Sequence, residues 1–194
     1  MWDLLFQNLS ERNVFLDPGE GAMLQSLFKH RKFRKNQYVL QEGEVAKYES
    51  FIVKGLTRTY EVDDKGQEHV LFFGPEDWWV GDLYSFLSGS PSRYNIDCLE
   101  DTEVLQISKQ DLDILYEKVP KLNQYFRILL QNAFITAAQR VSASLSQTAL
   151  ERYQEFRHKY PHIEQRIPNH QIASFLGVTP QSLSRVRRQF AEKL

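Results

Sequence analysis

The sequence predicts an α+β chain in which helices lead into a rolled antiparallel β-structure and helices then run to the end. Three observations carry this. Residues 1–35 place Leu4, Leu5 and Leu9, then Met23, Leu24, Leu27 and Phe28, at helical spacing. Residues 36–108 break into six short runs rich in β-branched and aromatic residues. After Ser108 the helical spacing returns and is kept to Leu194.

The six runs are Tyr38-Val39-Leu40, Ser50 to Val53, Leu56 to Tyr60, His69 to Phe73, Tyr94 to Cys98 and Thr102 to Ile107. Turn residues separate them: Glu42-Gly43-Glu44, Lys54-Gly55, Asp63-Asp64-Lys65-Gly66, Gly74-Pro75-Glu76-Asp77 and Gly89-Ser90-Pro91. Strands so short and evenly spaced close on themselves more readily than they form an open sheet.

Pro120 starts a long helix reaching about Ser144. Its apolar stripe is Leu122, Phe126, Leu129, Ala133, Ala137, Val141 and Leu145, widened by Tyr125, Ile128, Leu130 and Ile135. Asp and Glu are absent from residues 118–150. A helix apolar on more than one side needs a second cover, which a partner subunit provides, with burial in the chain's own core as the alternative. A shorter helix follows, with Leu150, Tyr153, Phe156 and Tyr160 on one face and Pro161 ending it.

Composition bounds the function classes. The 194 residues are 42% hydrophobic and 25% charged, ordinary for a globular chain. The start, Met1-Trp2-Asp3-Leu4-Leu5, lacks a secretory pattern, and no apolar stretch reaches membrane-spanning length, so a cytoplasmic protein is expected. A single cysteine, Cys98, excludes an internal disulfide and cannot alone hold a zinc site or an iron–sulfur cluster. The net charge of −1 is uneven: residues 147–194 hold eight Lys/Arg and four acids, +4, leaving −5 elsewhere. A basic end on an acidic body suits an anionic partner.

That basic end carries the most informative segment, Ile167 to Phe190. Asn169 is placed to cap a first helix, with Ile172, Ala173 and Leu176 facing inward. Gly177 supplies the left-handed residue that ends it, and Val178 plugs the turn. Thr179 caps a second helix, and Pro180 suits its first position. Leu183, Val186 and Phe190 bury one side of that helix, leaving Gln181, Ser184, Arg185 and Arg188 on the other. This is a helix-turn-helix, whose second helix presents side chains to base edges in the DNA major groove. The plainer reading of the same charges is a helical hairpin with a solvated basic face.

Ile172-Ala173-x-x-Leu176-Gly177-Val178-Thr179-x-x-Ser182-Leu183-Ser184-Arg185 resembles the DNA-binding motif of the cyclic-AMP receptor protein/FNR superfamily of bacterial transcription regulators. The strands agree independently. Gln41-Glu42-Gly43-Glu44, Phe51 to Gly55, Lys65-Gly66 and Gly81-Asp82-Leu83 resemble the glycine-punctuated roll of cyclic-nucleotide-binding domains. The resemblance covers residues 10 to 190. It implies a β-roll sensor (a double-stranded β-helix) with flanking helices over 1–118, a dimerisation helix and hinge over 119–146, and a helix-turn-helix domain over 147–194. It implies base contacts by Gln181, Ser184 and Arg185, and phosphate contacts by Asn169, His170, Ser182 and Arg188. Its dimer helix carries Leu122, Phe126, Leu129, Ala133 and Ala137. The partners it implies are double-stranded DNA and a second copy of the chain, with RNA polymerase and an unknown small-molecule effector also admitted.

The sequence departs from the family in two places. Cyclic-nucleotide binders follow Gly-Glu-Leu with Arg-Ser/Thr-Ala; here Asp82 replaces the Glu, Ser92 stands at the Arg position, and Arg93 comes one residue late. In a strand that slip turns the side chain to the other face. The effector pocket of Gly81, Asp82, Leu83, Ser92 and Arg93 is therefore read as degenerate, the alternative being a cyclic-nucleotide effector protein that uses Asp82 and Arg93. The chain also stops at Leu194, without length for a β-hairpin wing after the second helix.

Other chemistry is weakly represented. The roll's strands contain only His69 of the five histidines, read as a strand-surface residue, too few for a metal-dependent roll enzyme or a haem sensor. The run Lys29 to Lys35 reads as a solvated basic face before the roll, and Trp78-Trp79 as packing at a roll corner or a pocket lining. No phosphate loop, nucleophile elbow or paired catalytic carboxylates appear. No enzyme activity, metal or cofactor is expected.

Overall fold

A computed structural model of the chain describes residues 1–192. Its contacts divide the chain into two compact units. The first comprises residues 1–60 and 73–131, the second residues 61–72 and 132 onward.

The first unit opens with helices α1 (Trp2–Ser10) and α2 (Pro18–Leu27). Helix α2 starts where it does because Asp17 and Glu20 form a capping box around Pro18. Six strands lie wholly in this unit: β1 (Lys29–Phe33), β2 (Tyr38–Leu40), β3 (Tyr48–Lys54), β6 (Trp79–Val80), β7 (Asn95–Cys98) and β8 (Thr102–Ser108). Strands β4 (Thr57–Val62) and β5 (Glu68–Gly74) start and end in it, while the tip of their hairpin belongs to the second unit. Two four-stranded antiparallel sheets result, in the orders β1-β8-β3-β6 and β2-β7-β4-β5. Both Phe51 and Ile52 are fully buried, so β3 is covered on both faces. That is why Phe51, Ile52 and Val53 are apolar in succession and do not alternate with polar residues.

Two features differ from the sequence expectation. The region read as helical to about residue 35 ends in strand β1, which pairs with β8 from Lys29↔Gln106 to Phe33↔Thr102. Glu103 of β8 draws His30 and Lys32 into hydrogen bonds of 2.9 and 3.0 Å, so the basic run forms a charged edge strand. Between β6 and β7 lies a short helix, α3 (Leu83–Ser88), that the sequence spacing does not predict. Asp82 caps it and Gly89 ends it at φ +73°.

Helix α4 (Lys109–Lys118) and the start of α5 (Lys121–Ser146) complete the first unit. Leu112, Leu115, Leu122 and Tyr125 join Leu5, Leu9, Leu24 and Phe51 in its core. Trp79 ties this core together, its ring against Phe28, Phe51 and Phe126 and its indole N–H donating to the Tyr125 hydroxyl at 2.8 Å. That hydroxyl donates onward to Asn8 at 2.6 Å, so the buried phenol is satisfied on both sides.

The second unit holds the remainder of α5, α6 (Ala149–Lys159), a 3-10 turn (Glu164–Arg166), α7 (Asn169–Leu176) and α8 (Pro180–Ala191). Thr148 and Glu151 form a capping box for α6. The hairpin tip is built into this unit by two side chains. Ser174 of α7 donates to the Glu68 carbonyl at 2.9 Å and accepts the Val70 N–H at 3.0 Å. Arg140 donates to the carbonyls of Val70, Leu71 and Phe175, with its guanidinium 4.3 Å from the centre of the Phe175 ring.

Candidate nucleic-acid interface and roll pocket

The segment from Ile167 to Phe190 folds as two helices across a tight turn. Gly177 sits at φ +66°, a conformation costly for any residue with a Cβ, and its N–H returns to Ser174 at 3.0 Å. Ile172, Ala173, Leu176, Leu183 and Val186 are buried. Ala173 is the small residue at the α7–α8 contact. Thr179 caps α8 by accepting the Ser182 N–H at 3.2 Å. The expected cap of α7 is not made: Pro168 occupies the cap position without a side-chain bond, and Asn169 is the first helical residue. The Asn169 side-chain oxygen instead accepts from Arg187 at 2.6 Å, a stronger charge-assisted bond than a backbone N–H would give.

The basic residues of this unit divide by role. Arg187 also bonds Glu164 at 3.0 Å, and Glu164 accepts from the Tyr153 hydroxyl at 2.6 Å and lies 3.4 Å from Arg157. Arg152 donates to the carbonyls of Leu176 and Gln147 at 3.0 and 2.7 Å. These three arginines hold the helices together; the acid at Glu164 is the sequence signal that could have separated Arg157 and Arg187 from the rest. Arg185 and Arg188 make no hydrogen bond or ion pair among the described residues and lie exposed on α8. Gln181, Ser184 and His170 are also exposed, and Ser182 is half-buried. The Ser184 hydroxyl bonds back to the Pro180 carbonyl at 3.1 Å.

The side chains expected on a dimer helix do not share one environment. Leu122 is buried in the core of its own unit, and Phe126 and Leu129 are half-buried against that core, Phe126 through the rings of Trp79, Tyr116 and Tyr125. Ala133 and Ala137 are exposed, together with Phe134 at 75%, Val141 at 62% and Leu145 at 84%. Phe134 belonged to neither apolar set read from the sequence. Its steps to Ala137, Val141 and Leu145 (three, four, four) put all four on one face of α5.

The roll pocket lies in the first unit. Gly81 and Gln106 line a cavity of about 470 Å³ with Val39, Leu40, Tyr48 and Ile96. Asp82 is buried, and its carboxylate accepts the Ser85 N–H at 3.2 Å. Ser92 is buried, and its hydroxyl engages the N–H and carbonyl of Tyr94. Arg93 and Leu83 are exposed. The described residues contain no cluster of three or more His, Cys, Asp or Glu placed to hold a metal, and no helix long and apolar enough to cross a membrane.

Comparison with known proteins agrees with this architecture. Residues 30–119 match the family model of the cyclic nucleotide-binding domain. No curated protein matches the sequence. Among solved structures, the chain is similar to the c-di-GMP-responsive global regulator CLP of Xanthomonas campestris. The identity is 15%, over 91% of this chain and 93% of that one, with a TM-score of 0.72. It is similar to FixK2 from Bradyrhizobium japonicum at 19% identity, over 86% and 85% of the two chains, with a TM-score of 0.73. It is also similar to the Thermus thermophilus catabolite activator protein at 21% identity, over 92% and 85%, with a TM-score of 0.59. The domain match thus covers residues 30–119, and the fold over most of the chain is that of these solved structures.

Proposed function

We infer that the chain is a DNA-binding transcription regulator acting as a homodimer on double-stranded DNA. The observation that carries this reading is the face of α8. Gln181, Ser184, Arg185 and Arg188 stand exposed on a helix whose opposite side, Leu183 and Val186, is buried. In a major groove Arg185 would donate two hydrogen bonds to a guanine and Gln181 would pair with an adenine. His170, Ser182 and Arg188 would engage phosphates; Asn169 is the weaker member of that set, because its oxygen already serves Arg187. The similar structures, a global regulator and a catabolite activator protein, support the same reading.

The exposed stripe of Phe134, Ala137, Val141 and Leu145 supports dimerisation through α5. A pair of recognition helices would then meet successive major grooves about 34 Å apart on a near-palindromic site. Such a dimer works on cytoplasmic DNA beside RNA polymerase and answers to an effector in the roll. The cyclic-nucleotide alternative is disfavoured by the exposure of Arg93 and by the engagement of the Ser92 hydroxyl with its own backbone.

Selection from a random duplex library, followed by anisotropy titration at several salt concentrations, tests the reading. It expects an enriched near-palindrome bound with affinity that falls steeply as salt rises. No enrichment and no salt-dependent binding would refute it.

A further inference from the structure

The chemistry of the roll cavity indicates what kind of molecule it takes. Its volume of about 470 Å³ lies within the ~300–1,000 Å³ of small-molecule sites. Val39, Leu40, Val45 and Ile96 give it apolar walls, and Tyr48 adds an aromatic one. Gln106 supplies a fixed polar group: it is buried, and its amide nitrogen donates to the buried Ser50 hydroxyl at 3.0 Å.

The cavity offers an anion little compensation. Gly81 forms part of its wall, and acids flank that glycine. Next in the chain is Asp82, whose carboxylate already serves the first turn of α3, where a bound phosphate would otherwise find N–H groups. Glu49 also packs against Gly81, so closely that a Cβ there would clash with its carboxyl group. The Glu49 Oε1 is enclosed without a hydrogen-bond partner. Lys47 is the one cation among the lining residues, and Glu44 on the same lining offsets it. The arginine that the family resemblance would aim at a phosphate is replaced by Ser92, and Arg93 is exposed. A phosphate ester entering here would lose its hydration and find, among the lining residues, only Lys47 beside Glu44 to offset its charge.

We propose that the roll cavity binds a small uncharged molecule with an apolar, ring-sized body and a hydrogen-bonding group for Gln106, and excludes cyclic nucleotides. The proposal deepens the regulator reading, and rests on it for the ligand's role as effector. Gln106 selects the polar end of the ligand, while a lining whose one cation, Lys47, is offset by Glu44 gives an anion no net positive charge.

The neutral fluorophore N-phenyl-1-naphthylamine, titrated into the full chain, tests this. The expected result is a saturable rise in emission at one probe per chain with a micromolar dissociation constant. Neutral indole should displace the probe, whereas cyclic AMP and c-di-GMP at millimolar concentration should not. Val45→Trp, at the exposed edge of the cavity, should weaken probe binding at least tenfold. Ala22→Trp, in the separate apolar groove lined by Phe6, Val14 and Phe15, should leave it unchanged. The proposal is overturned by an absence of saturable binding, by loss of binding in Ala22→Trp alone, or by displacement at micromolar cyclic nucleotide. DNA anisotropy on the same preparation separates the two readings. Probe failure with DNA binding intact sinks the ligand assignment alone, and DNA failure with the probe bound sinks the regulator reading alone.

Discussion

Arg58 and Asp97 face each other across the β4–β7 ladder and are joined by two hydrogen bonds of 2.9 Å, both side chains nearly sealed from solvent. The guanidinium also lies 4.1 Å from the centre of the Tyr60 ring. A buried charge is tolerable only while its partner remains. Asp97→Ala should cost about 3–5 kcal/mol in urea unfolding, whereas the double replacement Arg58→Met with Asp97→Leu should come close to neutral. A single-variant cost under about 1 kcal/mol would mean that the pair is solvated.

Glu49 gives stability an unusual pH dependence. Burial, and behind it the charge of Asp82, push its carboxyl from the ordinary 4.5 up to about 8. The folded chain therefore holds more protons than the unfolded one between those values, and stability falls as pH rises through that window. Glu20, Asp63 and Glu103 are held low by their hydrogen bonds and act in the opposite sense at more acid pH. Glu49→Gln should remove a slope of up to ~1.4 kcal/mol per pH unit. The variant should match wild type near pH 4.5 and exceed it at pH 8; parallel stability curves would contradict the assignment.

The turn between α7 and α8 depends on one residue. Gly177 at φ +66° has open space where a Cβ would stand, so the cost of replacing it is conformational alone. Gly177→Ala should destabilise the chain by about 1 kcal/mol, and a β-branched replacement by more. Thermal melts followed by circular dichroism measure this, with an unchanged melting temperature in Gly177→Val as the contrary outcome.

Assembly is tested where the side chains are already in water. Phe134→Glu combined with Val141→Glu alters two exposed positions of α5, so the monomer fold should persist. Sedimentation velocity should show a dimer for wild type and a monomer for the variant, with DNA affinity lost in parallel. A wild-type chain that is monomeric at micromolar concentration would count against the dimer.

What the sequence disclosed follows from how local each signal is. The helix-turn-helix was legible because Gly177, Thr179 and Pro180 act on their own backbone, and Leu183 and Val186 repeat on one face. The cap at Asn169 was misread because the residue that claims its oxygen, Arg187, lies eighteen positions away. Strand β1 was hidden for the same reason: Lys29 to Lys32 carry no strand signal, and only Glu103 across the ladder explains them. The long helix looked like one continuous stripe. Periodicity cannot separate Leu122, sealed in its own core, from Leu145, left in water. The missing arginine at Ser92 was readable, but the strand register was not: Ser92 and Arg93 precede β7, and a turn in which the Ser92 hydroxyl engages Tyr94 buries the first and leaves the second exposed.

The central claim, that α8 reads DNA sequence, is tested most directly by Arg185→Ala and Arg188→Ala on a selected duplex and a scrambled one. Anisotropy titrations should show Arg185→Ala losing ~1–3 kcal/mol on the selected site with little change on the scrambled one, so that selectivity collapses at one base pair. Arg188→Ala should weaken both duplexes alike and flatten the salt dependence. An Arg185→Ala protein with undiminished selectivity would contradict the account.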